Sequence, residues 1–184
     1  MHAAPDVTPE YFEILVLREL RKVGFEVGQP RVQRRSELPE PELGFVLELV
    51  VSLSGTGETR RALVVCRHQA GDLARDVIES AVARRSEASA DCVVVFVTTH
   101  FAPEAVSAAR ERGGVALLQI VDGRSVFAGA GADMGGVPDH YPAWLPAHVA
   151  QLVDRDAAGQ PRFRVLEAGK PQMILDAMRS GTDG

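Results

Sequence analysis

The sequence predicts an α/β fold in which a mixed central sheet is flanked by helices, with element order α-β-β-β-α-β followed by α-β-β. Three observations carry this. The runs GFVLELVVSL and ALVVCR are separated only by a short, glycine-bearing loop, so they pair as an antiparallel hairpin. The runs CVVVFVT and VALLQIV are apolar on both faces, which suits strands buried between two layers and parallel to a neighbour. Segments of helical spacing alternate with those runs. The chain has 184 residues, 46% hydrophobic and 24% charged, enough to bury a core without staples.

The first helix is announced by Thr8 as cap, Pro9 at the first-turn position and Glu10 at the positive helix end. Phe12, Leu15, Val16, Leu20 and Val23 recur at helical spacing until Gly24 stops the run. A short strand is expected at Phe25–Val27, a second near Val32, then a polar loop through Glu42. Gly44–Leu53 and Ala62–Arg67 are the hairpin strands, and Ser54–Thr59 is their loop. Asp72–Ser89 reads as a helix with Leu73, Val77, Ile78, Ala81 and Val82 on one face. Cys92–Thr98 is a buried strand, PEAVSAARERGG a short helix ending at Gly113, and Val115–Val121 another buried strand that turns at Asp122-Gly123 into RSVFAG. The texture then becomes rich in Gly and Pro. Residues 1–128 are therefore read as one domain, and 129–184 as a linker and short helical tail, with helices expected at Trp144–Val153 and Lys170–Arg179.

Composition narrows the function. A net charge of −5 argues against an avid, sequence-blind nucleic-acid binder but leaves room for a local basic patch. Only Lys22 and Lys170 among the 20 cationic residues are lysines. No apolar stretch reaches the ~18 residues of a membrane span. The start MHAAPDVTPEYFE lacks the order of a signal peptide, so a cytoplasmic protein is expected. Cys66 and Cys92 sit in apolar runs and read as buried free thiols. GAGADMGG fails the dinucleotide pattern because Met134 stands at the third glycine, and SGTGET lacks the lysine of a phosphate loop. His100, His140 and His148 do not have zinc-ligand spacing.

The stretches YFEILVLRELRKVGFEV, GFVLELVVSL, ALVVCRHQ and VVVFVTTHFAPEAVSAARERGGVALLQIVDG resemble the Mrr-type restriction endonuclease domain of the PD-(D/E)XK nuclease superfamily, over roughly residues 9–127. The resemblance implies a restriction-endonuclease-like α-β-β-β-α-β core. It also implies a Mg²⁺ site built from an acid on the second strand, an (E/Q)xK motif on the third and a supporting glutamate on the first helix. Magnesium wants oxygen ligands there, to activate water and stabilise charge on the phosphate. Carried onto this chain, Glu13 stands at the helix position, Glu48 at the strand acid, Val65 at the acid or amide, and Arg67 at the lysine. Valine offers a metal nothing, and arginine stays charged and cannot act as a base. These three polar residues read as a remnant site, with a Glu48–Arg67 cross-strand ion pair in place of metal. Arg67, His68, Arg60 and Arg61 are the candidate DNA-facing set, weighed against a mixed solvated face with Glu58, Asp72, Asp76 and Glu79.

Three functions stay open on this reading. One is an Mrr-type domain that binds or acts on DNA with weak or no cleavage and needs no cofactor. Another is an active Mg²⁺-dependent endonuclease rescued by a migrated carboxylate, Glu79. The last is a non-catalytic protein-interaction module on the same fold. Partners expected are DNA, no membrane, and a homodimer or protein partner through the tail or an edge strand near Val126.

Overall fold

In the computed structural model, Thr8 caps helix α1 (Pro9–Lys22) as the sequence predicts, its hydroxyl accepting from the Tyr11 N–H at 3.2 Å. The structure describes residues 8–26, 33–35, 44–122 and 148–180. The remaining elements are β1 (Gln33–Arg35), β2 (Gly44–Gly55), β3 (Glu58–Gln69), α2 (Arg75–Arg84), β4 (Cys92–Val97), α3 (Pro103–Arg112), β5 (Val115–Asp122), β6 (His148–Arg155), β7 (Pro161–Val165) and α4 (Gln172–Ser180). The seven strands among the described residues form one sheet in sequence order, β1 through β7. The β1-β2-β3 and β5-β6-β7 pairings are antiparallel, and β3, β4 and β5 run parallel. That mixed sheet is the expected architecture.

Helices cover both faces. On one, Phe12, Val16 and Leu20 of α1 and Ile174, Leu175 and Met178 of α4 pack on Leu47, Leu49, Val64, Cys66, Val94, Phe96, Leu118 and Leu152. On the other, Val77, Ile78 and Ala81 of α2 and Ala105, Val106 and Ala109 of α3 pack on Val46, Leu63, Val65, Val93, Val95, Leu117 and Val153. Each large side chain so buried contributes ~1.5–3 kcal/mol. Covering on both sides explains why β4 is buried at every position.

Several boundaries move. The hairpin strands extend to a two-residue turn at Thr56-Gly57, where Gly57 takes φ +75°. Helix α2 starts at Arg75, not Asp72, because Leu73 forms a bridge to Phe101 and its N–H donates to the His100 carbonyl. Phe25 and Glu26 are not in a strand, and Val27 and Val32 lie outside the described residues. The expected helix at Trp144–Val153 is corrected. Its described part is strand β6, in which Ala150 and Leu152 enter one core and Val153 the other. A strand apolar on both faces carries no alternation, and a short run of that kind mimics a helix. Residues 148–180 thus add two strands and a helix to the same sheet and core. The features read at 123–147 (the Gly/Pro stretch, Val126, His140, Tyr141, Trp144) lie outside the described residues.

Candidate functional site

The motif positions are set by the β2–β3 register. Glu48 stands opposite Val65, and Val46 opposite Arg67. Successive strand residues alternate faces, so Glu48, Val65 and Arg67 share the face covered by α2 and α3. All three are buried, with Glu48 at 8% exposure, Arg67 at 9% and Val65 at 0%.

Glu48 does not meet its expected partner. Its carboxylate pairs with Arg84, from the last turn of α2, with Nη2 2.7 Å from Oε1. The side chains retain 19% and 10% exposure respectively. Oε1 has no hydrogen bond of good angle, so the contact is a close ion pair rather than an aligned fork. Arg67 lies diagonally across the ladder from Glu48, where Cα atoms are ~7–8 Å apart. Arg84 descends directly onto the strand from the layer above. No sequence pattern links positions 48 and 84, so only the packing of α2 shows this residue.

Glu13 approaches from the other side of the sheet. Its helix packs on the face that carries Cys66 and Leu47. Cys66 is fully buried in the core beneath α1. Burial first, then the negative charges of Glu48 and Glu13, push its thiol well above the ordinary value near 9. Burial likewise pushes Cys92 up to about 11. Both thiols are therefore held protonated and inert.

The candidate DNA-facing set is divided by the fold. His68 points to the α1 face, opposite to Arg67. It is buried, with Nδ1 3.0 Å from the Thr98 hydroxyl and its ring centroid 6.0 Å from that of Phe12. Arg60 and Arg61 lie at the hairpin end of β3, about 20 Å along the strand from Arg67 at 3.3 Å per residue. Arg60 pairs with Glu58, which also receives Arg179 of α4, and the Arg61 N–H donates to Asp91 at 2.8 Å. The alternation of adjacent strand residues already separates Arg67 from His68 in the sequence.

Glu79 is not brought to Glu48. It lies on the outer side of α2, 3.0 Å from Arg75 and 3.5 Å from Arg112 of α3, and hydrogen bonding from Arg75 leads the causes that lower its pKa. Among the described residues, no group of three or more His, Cys, Asp or Glu side chains is placed to hold a metal ion. Nor is any helix among the described residues long and apolar enough to cross a membrane.

Residues 5–126, more than half of the chain, match the family Mrr_cat, described as a restriction endonuclease. Comparison with curated proteins returned no match.

Proposed function

The chain belongs to the Mrr_cat restriction endonuclease family, and we propose from that membership that it engages DNA through a nuclease fold whose metal site has been replaced by a protein cation. The observation that carries this reading is the Glu48–Arg84 pair facing Val65. Magnesium demands near-octahedral oxygen coordination, with one or two carboxylates at least in place. Here the only carboxylate among the three strand positions is already neutralised, the residue opposite it has no donor atom, and Arg67 is a permanent cation. The residues at these three positions do not fit a magnesium ion. Arg67 keeps a positive charge near the carboxyl end of β3, where the lysine of the motif would stand, and a guanidinium suits a phosphate.

A migrated carboxylate finds little support, because Glu79 is engaged by Arg75 and Arg112 on the outside of α2. The test has two arms. Supercoiled plasmid is incubated with the protein in Mg²⁺ or Mn²⁺ with a chelator control, and duplex binding is titrated against salt. The proposal expects no metal-dependent nicking and an affinity that falls as salt rises, since phosphate contacts release counterions. Metal-dependent nicking abolished by Glu48→Gln overturns the replaced-site part. Absence of binding at low salt overturns the DNA part.

A further inference from the structure

We propose that the outer edge of β7 docks an extended, acidic segment of a partner protein, which adds to the sheet as an eighth strand. The inference is independent of the DNA reading and starts from hydrogen bonding. Among the described residues, β7 is the last strand of the sheet, paired to β6 on one side. The bonds Asp156 N–H to Gln160 carbonyl and Leu166 N–H to Ala150 carbonyl, both 3.0 Å, fix which pairs are narrow. Narrow pairs alternate in an antiparallel ladder. The backbone groups of Arg162 and Arg164 therefore turn inward to β6, and those of Phe163 and Val165 turn outward. Pro161 adds an outward carbonyl and no N–H. The edge thus offers alternating donors and acceptors for another strand.

Side chains state which strand. Phe163 is 50% exposed, across from Val153 on the α2/α3 face. Arg162 and Arg164 stand on the opposite face, and both reach the single carboxylate of Asp154, at 3.0 Å and 2.6 Å. Two guanidinium groups on one carboxylate leave a surplus positive charge along the edge. The Arg164 Nε is moreover buried with no hydrogen-bond partner. A second copy of this chain, paired about a two-fold axis at Phe163, would place Arg162 opposite Arg164, and like charges directly opposite are destabilising. A segment with acids at alternate positions and an apolar residue between them answers both faces at once: its acids meet Arg162 and Arg164, and its apolar side chain covers Phe163.

The experiment uses the full chain and two labelled seven-residue peptides, Thr-Glu-Val-Glu-Val-Glu-Thr and the same sequence with Lys for each Glu. Anisotropy at low ionic strength reads affinity, and amide hydrogen exchange reads placement. The acidic peptide is expected to bind about tenfold or more tighter than the basic one, and the R162E/R164E variant to invert that preference. Binding is expected to protect the Phe163 and Val165 amides and leave the Arg162 and Arg164 amides, already bonded to β6, unchanged. Phe163→Pro removes one outward donor without touching the β6–β7 ladder and weakens binding; unchanged Arg162 and Arg164 protection verifies that its hairpin is intact. Equal binding of both peptides, or no binding and no new protection, overturns the proposal. Protection of the same amides by self-association without peptide also overturns it, since the edge then belongs to a second copy.

Discussion

Replacing Arg84 by methionine keeps the length and apolar stem of the side chain and removes its charge. Glu48 is then left beside Val65 with a carboxylate 10% accessible to solvent. Removing one partner of a fully buried pair costs ~3–5 kcal/mol. The residual exposure of this pair, 19% at Arg84, places the expected loss at ~2–4 kcal/mol. For a chain of this size that corresponds to a fall in Tm of about 4–16 °C. Urea unfolding with a global fit checks it: the midpoint falls and the m-value holds, because the same surface is exposed on unfolding. The Glu48→Leu/Arg84→Met double variant removes both charges and recovers most of the loss, since an apolar replacement of a buried pair is often neutral or better. The difference between single and double variants is the coupling energy. An Arg84→Met variant within ~0.5 kcal/mol of the native protein, as for an ordinary surface change, would refute the assignment of Arg84 as the cation on which Glu48 depends.

Both cysteines should resist alkylation in the native protein at pH 8 and react on unfolding, read by mass spectrometry. Because the folded thiols titrate above the unfolded ones, stability is intact below pH ~9 and falls above it, by about 1.4 kcal/mol per pH unit for each thiol until the folded pKa is reached; a flat profile from pH 9 to 11 would contradict their burial. Gly24→Ala should cost ~2 kcal/mol or more, because Gly24 has φ +89° and an added Cβ would lie 2.8 Å from the Pro171 ring; urea titration measures it, and a neutral result would separate α1 from the C-terminal segment. A chain ended at residue 147 loses Leu152, Ile174, Leu175 and Met178 from the core and is expected to lose cooperative unfolding, whereas a sharp unaltered transition would make the C-terminal segment an appendage.

What the sequence makes legible is what local chemistry dictates. Thr8, Pro9 and the apolar stripe through Leu20 define α1 because capping and periodicity act within one helix. The run CVVVFV defines a buried central strand because six residues are short for a buried helix and its four valines favour the extended backbone. β7 escapes, since PRFRV opens on proline and is mostly exposed, as an edge strand permits. β6 is mistaken for a helix because its two faces are both covered. At the site, the shared face of Glu48, Val65 and Arg67 follows from strand alternation and the hairpin. The partner of Glu48 does not, because Arg84 reaches it only through the tertiary placement of α2, and the same alternation that gathers those three sends His68 to the opposite layer.

The central claim is that a guanidinium now occupies the charge that a divalent ion would otherwise supply to Glu48. Manganese titration of the native protein, followed by the paramagnetic signal of the free ion, tests it most directly. The expected result is weak, non-saturating association that Glu48→Gln leaves unchanged. A single saturable site that disappears in Glu48→Gln would contradict the account.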